Sequence, residues 1–147
     1  MKKSPKVEWP PSVAPVRPLL IEHLERLEIW AIFCLLGGLA LPLVWQNPAV
    51  LSFGLMTAAW AFVNLVIALI GKNGKPPHSV QTFVGLLVVN QIANYLYILV
   101  GSGVALFGGD LPTRSGAWAV VVQGFALMLL DAYLLKQCRG ILKGTDS

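Results

Sequence analysis

The stretch that decides the fold is Val89-Asn90-Gln91-Ile92-Ala93-Asn94-Tyr95-Leu96-Tyr97, which lies in the middle of a long apolar run. It places three amides and two phenols among residues of the kind that meet lipid. Polar groups at membrane depth are costly and normally face protein. Asn90, Asn94, Tyr97 and Gly101 follow i, i+4, i+7, i+11 spacing, so on a helix they form one stripe. The stretch therefore predicts a membrane-spanning helix with one polar side that other helices must cover.

The composition points to the same class of protein. Of the 147 residues, 56% are hydrophobic and only 12% are charged, whereas charged residues make up about a quarter of a soluble domain. The mean hydropathy of +0.69 agrees. The net charge of +4 comes from bases scattered over termini and loops, which form no nucleic-acid-binding patch. We therefore expect a single polytopic membrane domain whose first partner is the lipid bilayer, with no nucleic-acid partner.

Four apolar runs are long enough to cross a hydrocarbon layer of about 30 Å. They cover approximately residues 29–45, 49–70, 83–107 and 117–135. A Gln-Asn-Pro turn separates the first two runs, and loops rich in Gly and Pro separate the others. Short connections force consecutive helices to be antiparallel. The predicted fold is therefore an all-α membrane protein, an up-down four-helix transmembrane bundle over residues 29–135.

The flanking segments are predicted to be different in kind. Residues 1–18 hold five prolines and four bases, which is typical of a disordered tail. Residues 19–28 repeat leucine at helical spacing between charged residues, as an amphipathic segment does. Two arrangements are open for it: a helix that lies on the membrane surface, and a cytoplasmic extension of the first span. Residues 136–147 are expected to form a second, C-terminal cytoplasmic tail.

The distribution of lysine and arginine predicts the orientation of the bundle. Ten of the eleven lie in the N-terminal segment, the middle loop and the C-terminal segment, and Arg114 alone lies in the remaining loops. Cytoplasmic segments of membrane proteins carry such an excess. Both termini are therefore expected in the cytoplasm, with the chain passing several times through the cell (inner) membrane.

Polar residues within the predicted spans are the candidate site. They fall at matching depths on three helices and are Asn64, Asn90, Asn94, Tyr97, Gln123 and Asp131. Three interpretations are open: an amide ladder that fixes helix register, a site for a ligand, ion or proton, and a subunit interface. Asp131 lies close enough to the membrane surface to be hydrated, or paired with Lys72 or Lys136.

Several kinds of chemistry lack the residues they need. No Ser–His or Cys–His pair, phosphate-binding loop or metal-ligand cluster is evident, so we expect no enzyme activity and no cofactor. Cys34 and Cys138 are expected to be independent thiols. His23 and His78 both lie outside the predicted spans, which excludes an intramembrane bis-histidine haem site within one chain.

Three segments together resemble a family of small, uncharacterised bacterial four-helix integral membrane proteins. Trp60-Ala-Phe-Val-Asn64 is similar to its Trp-x3-Asn motif, and Asn90 to Tyr97 is similar to its Asn-x3-Asp/Asn-x2-Tyr motif. Val122-Gln123-Gly124-Phe125 with Leu130-Asp131 resembles its Gln-Gly-Phe…Asp signature. The resemblance covers about residues 28–135 and implies a fold and a location, but no activity. Asn94 stands where the family pattern tends to have aspartate, which argues against a proton-carrying role there.

Two functional hypotheses follow. The first is a non-enzymatic membrane protein whose buried polar core is structural, as in an accessory or oligomer-forming subunit that meets a second copy or a partner in a membrane complex. The second is a small carrier or ligand-binding membrane protein with a polar site facing the cytoplasm. Pro42 is the only proline within a predicted span, so the broken helices common in transporters are not evident. The sequence therefore favours the structural hypothesis.

Overall fold

Four long α-helices make up the fold. The computed structural model describes residues 8–145 and assigns α1 to Val16–Val44, α2 to Pro48–Lys72, α3 to Val80–Phe107 and α4 to Leu111–Thr145. No β-strand occurs within that range. Each helix is long and apolar enough to cross a membrane. The predicted all-α architecture with four such helices is thereby confirmed.

Polar side chains just before three of the helices set where they begin. The Asn47 side chain accepts a hydrogen bond from the backbone N–H of Ala49 at 2.8 Å, and Ser79 accepts from Thr82 N–H at 3.0 Å. Asp110 accepts from Thr113 N–H at 2.7 Å. Such caps satisfy N–H groups that have no partner within the helix. Two hydrogen bonds from Thr113 lower the pKa of Asp110: the larger effect comes from the Thr113 side chain and the smaller one from its backbone N–H.

The helices are longer than the sequence pattern predicts. The amphipathic segment 19–28 and the first predicted span form one continuous helix, α1, which agrees with the extension of the span that the sequence left open. Helix α4 starts six residues before the predicted span and continues through residues 136–145, which were predicted as a tail. Apolar periodicity marks only the part of a helix that is surrounded by lipid or protein, so it underestimates helices that continue into polar sequence.

The proline-rich N-terminal segment is ordered where the structure describes it. A turn at residues 11–15 leads into α1, with Val13 N–H bonded to the Pro10 carbonyl at 3.0 Å. Val13 and Val16 are fully buried in a cluster with Val80, Leu87, Leu134, Leu135 and Cys138. The prediction of a disordered tail is therefore wrong for residues 8–18, because apolar side chains anchor the segment. Residues 1–7 and 146–147 lie outside the described residues.

Small residues allow the helices of each hairpin to pack closely. In the α1–α2 pair, a β-carbon added to Gly38 would lie 2.6 Å from the Gly54 carbonyl oxygen. In the α3–α4 pair, Gly101 faces Val121, and Gly124 faces Tyr97 and Ile98. The contacting residues run in opposite directions along each pair, as in antiparallel hairpins. We call the end that holds the start of α1, the α2–α3 loop and the end of α4 the termini end.

The two hairpins do not pack evenly against each other. Helix α4 packs on both α2 and α1, but α2 and α3, although consecutive in the chain, have few close backbone contacts within the described residues. A cleft therefore separates α2 from α3, and the seven-residue loop 73–79 crosses it at the termini end. This opening positions the candidate site.

We predict that Gly38→Ala destabilises the protein and that Gly37→Ala does not. The alanine methyl at position 38 would collide with the backbone of α2, and such overpacking costs about 1–3 kcal/mol. A methyl at position 37 meets nothing within 4 Å, and alanine favours a helix over glycine. Unfolding of the two variants in detergent checks this, and equal stability of both would contradict the close α1–α2 contact.

Candidate functional site

Asp131 lies at the centre of the polar contacts in the bundle. This residue of α4 is 4% exposed. Its Oδ2 atom accepts hydrogen bonds from the side-chain amides of Asn90 at 2.6 Å and Asn94 at 2.7 Å, both on α3. Its Oδ1 atom lies 3.3 Å from Nε2 of His23 on α1. One carboxylate therefore joins three of the four helices.

The direction of these hydrogen bonds determines what the site still offers. Asn90 and Asn94 each use the amide NH₂ group to bind Asp131. Their amide oxygens are consequently turned away from the carboxylate and remain available as acceptors. Hydrogen bonds to a charged acceptor are shorter and stronger than neutral ones, which agrees with the two short distances. The NH₂ groups of the two asparagines therefore hold the carboxylate in place, and their amide oxygens are left as hydrogen-bond acceptors.

His23 is a site residue that the sequence interpretation missed. Both histidines were placed outside the spans, and this is wrong for His23, because α1 begins at Val16 rather than at residue 29. The signal was present in the sequence: His23, Leu27, Trp30 and Cys34 repeat at i, i+4, i+7, i+11. That is the spacing of the polar stripe on α3, and its Leu27 and Cys34 members are buried.

We call Asp131 and its three partners, Asn90, Asn94 and His23, the Asp131 cluster. A cavity of about 290 Å³ lies beside it, in the cleft between α2 and α3. All four helices contribute to its lining. It extends from Leu20 and Phe83 near the termini end to Trp60 and Tyr97 at mid-helix. The polar residues in its lining are His23, Asn64, Asn90, Asn94, Tyr97 and Asp131. Five of the six residues singled out from the sequence therefore line one cavity.

Asn64 brings an unused hydrogen-bond donor to this cavity. The residue is 3% exposed, and its Nδ2 atom has no hydrogen-bond partner. Buried polar atoms without a partner are rare in proteins, because each carries a desolvation penalty. An amide N–H without a partner in the lining of a cavity is expected where that N–H donates to a ligand that enters the cavity.

Gln123 is the sequence-predicted residue that does not join the site. It is 1% exposed and accepts a hydrogen bond from Nε1 of Trp30 on α1 at 3.1 Å. Its Nε2 atom is buried without a partner, and the residue does not line the cavity. Gln123 therefore connects α4 to α1 about two turns away from Asp131, and the two tiers of polar contacts are separate.

The nearby basic side chains are engaged elsewhere. Lys72 pairs with Glu28 across the α1–α2 hairpin. Arg26 pairs with Glu22 at 2.6 Å and lies 4.7 Å from the centre of the Tyr133 ring. The expectation that Asp131 pairs with Lys72 or Lys136 is therefore wrong, because His23 occupies that position.

An aromatic pair lies at the mid-helix end of the cavity, away from the termini end. The rings of Trp60 on α2 and Tyr97 on α3 meet edge to face, with 4.9 Å between their centres. Tyr97 also lines a second, largely apolar cavity of about 410 Å³ among α2, α3 and α4. This contact bridges the cleft where the helix backbones themselves are apart.

We predict that Asp131→Leu lowers the free energy of unfolding by about 2–4 kcal/mol, because it leaves the NH₂ groups of Asn90 and Asn94 without an acceptor and removes the acidic partner of His23. Asp131→Asn keeps an oxygen in place and is expected to lose less than half as much. Denaturant unfolding in detergent micelles measures both. If Asp131→Leu unfolds like the wild type, the cluster does not hold the helices together.

Comparison with known proteins reaches one family. Residues 26–132 match a family of unknown function, DUF6992. The matched range includes Asn64, Asn90, Asn94 and Asp131. It begins three residues after His23, which it therefore does not include. No curated protein and no solved structure matches the chain. Since the match covers well over half of the 147 residues, this chain belongs to the DUF6992 family of unknown function.

Proposed function

We propose that this chain is an integral membrane protein that binds a small polar ligand in the cavity between α2 and α3, as a carrier or a binding protein. One observation carries the proposal: a cavity lined by all four helices holds the buried Asp131 carboxylate with its amide donors and, in the same lining, the unpartnered Nδ2 atom of Asn64. Ionisable groups within apolar helices generally mark functional sites in membrane proteins.

The outer surface of the bundle supports its placement in a membrane. Large apolar side chains are exposed along every helix, among them Phe33, Phe62, Leu99 and Phe125. Soluble proteins rarely expose apolar surface on this scale, whereas lipid requires it. The excess of lysine and arginine at the termini end favours an inner-membrane protein with both termini in the cytoplasm. In that orientation the cavity extends into the cytoplasmic half of the bilayer.

The residues of the cavity favour binding over catalysis. Within the described part of the chain, no serine, threonine or cysteine lines the cavity, so the His23–Asp131 pair has no hydroxyl or thiol of these residues to activate. The proposed protein is accordingly non-enzymatic and needs no cofactor.

A structural role is the second candidate, and one observation favours it. The Asp131 carboxylate holds α1, α3 and α4 at a single point, as expected of a group that fixes helix register. In this alternative the polar core serves an accessory or oligomer-forming subunit. The two candidates differ in one measurable respect: a structural core is dry, whereas a binding cavity admits solutes.

We predict that a cysteine at position 64 reacts with a small polar thiol reagent and that one at position 62 does not. Asn64→Cys and Phe62→Cys are made in a chain whose Cys34 and Cys138 are replaced by alanine. Side chain 64 lines the cavity, while Phe62, on the same helix, is 59% exposed on the outer surface proposed to face lipid. Methanethiosulfonate ethylammonium is added to protein in lipid nanodiscs, and mass spectrometry follows modification. Equal protection of both cysteines would favour the structural role.

We predict the orientation from two further cysteine positions. Gly109→Cys lies in the α3–α4 loop and His78→Cys in the α2–α3 loop, both at exposed positions. In intact cells a membrane-impermeant maleimide should label position 109 alone, and position 78 should become labelled only after lysis. The reverse pattern would contradict cytoplasmic termini.

A further inference from the structure

We propose that the ligand of this cavity is a small organic cation that carries an ammonium group and, in the same molecule, a hydrogen-bond acceptor such as a hydroxyl. The inference rests on the proposed binding function and adds the chemical class of the ligand. The ammonium group would bind at the oxygens of Asp131, Asn90 and Asn94, and the acceptor would meet Nδ2 of Asn64.

The first argument is the sign of charge inside the cavity. Of its sixteen lining residues, Asp131 is the one acidic residue, and none is lysine or arginine. Outside the lining, Lys72 is paired with Glu28 and Arg26 with Glu22. In surroundings of low dielectric the carboxylate attracts a cation strongly and repels an anion. The one basic residue of the lining, His23, already faces the Asp131 carboxylate, so an anionic ligand would find no unpaired positive charge there.

The second argument is the match of donors and acceptors. The NH₂ groups of Asn90 and Asn94 are used by the carboxylate, so these residues offer their carbonyl oxygens. An ammonium group carries donors only, which suits three neighbouring acceptors. The amide of Asn64 presents the opposite requirement, since its Nδ2 atom is buried and needs an acceptor. One ligand with both kinds of group satisfies the whole set.

The third argument is that the carboxylate has a partner that a ligand can replace. The contact from His23 to Oδ1 of Asp131 is 3.3 Å, against 2.6 and 2.7 Å for the two amides. It is the weakest of the three. An ammonium group can occupy this side of the carboxylate while the amides keep the helices in place.

Size and lining narrow the class further. A volume of about 290 Å³ holds about ten water molecules at ~30 Å³ each, so the cation has about ten non-hydrogen atoms at most within the cavity. Trp60 and Tyr97 form its inner end, and aromatic rings are the apolar side chains that attract organic cations. Asn90 is exposed at the edge of the cleft, so the cation can belong to a free amine or to the headgroup of a lipid.

The experiment compares three compounds of one size that differ in charge: ethanolamine, which is protonated at neutral pH, ethylene glycol and glycolate. Thermal unfolding of the full chain in detergent micelles is followed against the concentration of each. Ethanolamine should raise Tm, with an apparent Kd at least tenfold lower than that of either other compound. Ethylamine, which lacks the acceptor, should bind several-fold more weakly than ethanolamine in the wild type and equally in Asn64→Leu.

A variant and a lipid comparison complete the design. Asp131→Asn keeps the shape of the site and should abolish the ethanolamine shift, while Phe62→Leu, on the outer surface, should leave it unchanged. Nanodiscs of phosphatidylethanolamine and of phosphatidylglycerol test the lipid source. A Tm increase in the first lipid that Asp131→Asn removes supports the cation site with a lipid ligand.

The outcomes separate this inference from the function on which it rests. If glycolate or ethylene glycol binds as well as ethanolamine and Asn64→Leu removes the effect, the cavity binds ligands but the cation inference is wrong. If no compound or lipid shifts Tm and the cysteine at position 64 stays unmodified, both the inference and the proposed function are wrong.

Discussion

The rest of the structure depends on where the Asp131 carboxylate finds its hydrogen-bond donors. A carboxylate placed in lipid costs about 2.5–3.5 kcal/mol on insertion scales, and an average interhelical hydrogen bond returns only about 0.6 kcal/mol. Two hydrogen bonds from the α3 amides return about 1.2 kcal/mol at that average, so even with the His23 imidazole of α1 beside it, the carboxylate costs more than its contacts return. Apolar packing alone would place these helices together more cheaply. The arrangement is understandable if the carboxylate is kept for what it binds.

The cleft follows from the different packing of the two hairpins. Glycines let α1 approach α2, and α4 approach α3, to backbone contact. Helix α4 then packs against both members of the first hairpin, while α3 reaches α2 mainly through the ring pair of Tyr97 and Trp60. The space left between α2 and α3 is the cavity. Asn64 lines this space and its Nδ2 atom has no hydrogen-bond partner there.

The sequence predicted the architecture well and the site in part. Four apolar runs and their short connections were enough for the helices, because hydrophobic length is a strong signal in membrane proteins. The polar stripe on α3 and Asp131 were found because amides and carboxylates are conspicuous against leucine and valine. His23 was not found, because it lies among the glutamates of a segment that was taken to precede the first span. Val13 and Val16 were missed for a related reason: they lie within a proline-rich composition that suggested disorder.

The buried N-terminal valines have a consequence for how the protein is made. Val13 and Val16 pack on Leu134, Leu135 and Cys138, so these valines find their final neighbours only after the residues of α4 have been synthesised. The contact of His23 with Asp131 joins residues 108 positions apart and has to wait equally long. Contacts of such sequence separation form late and slowly. Until α4 is in place, a nascent chain exposes both its apolar first turn and an unfinished polar site, and these are features that a protease or chaperone can recognise.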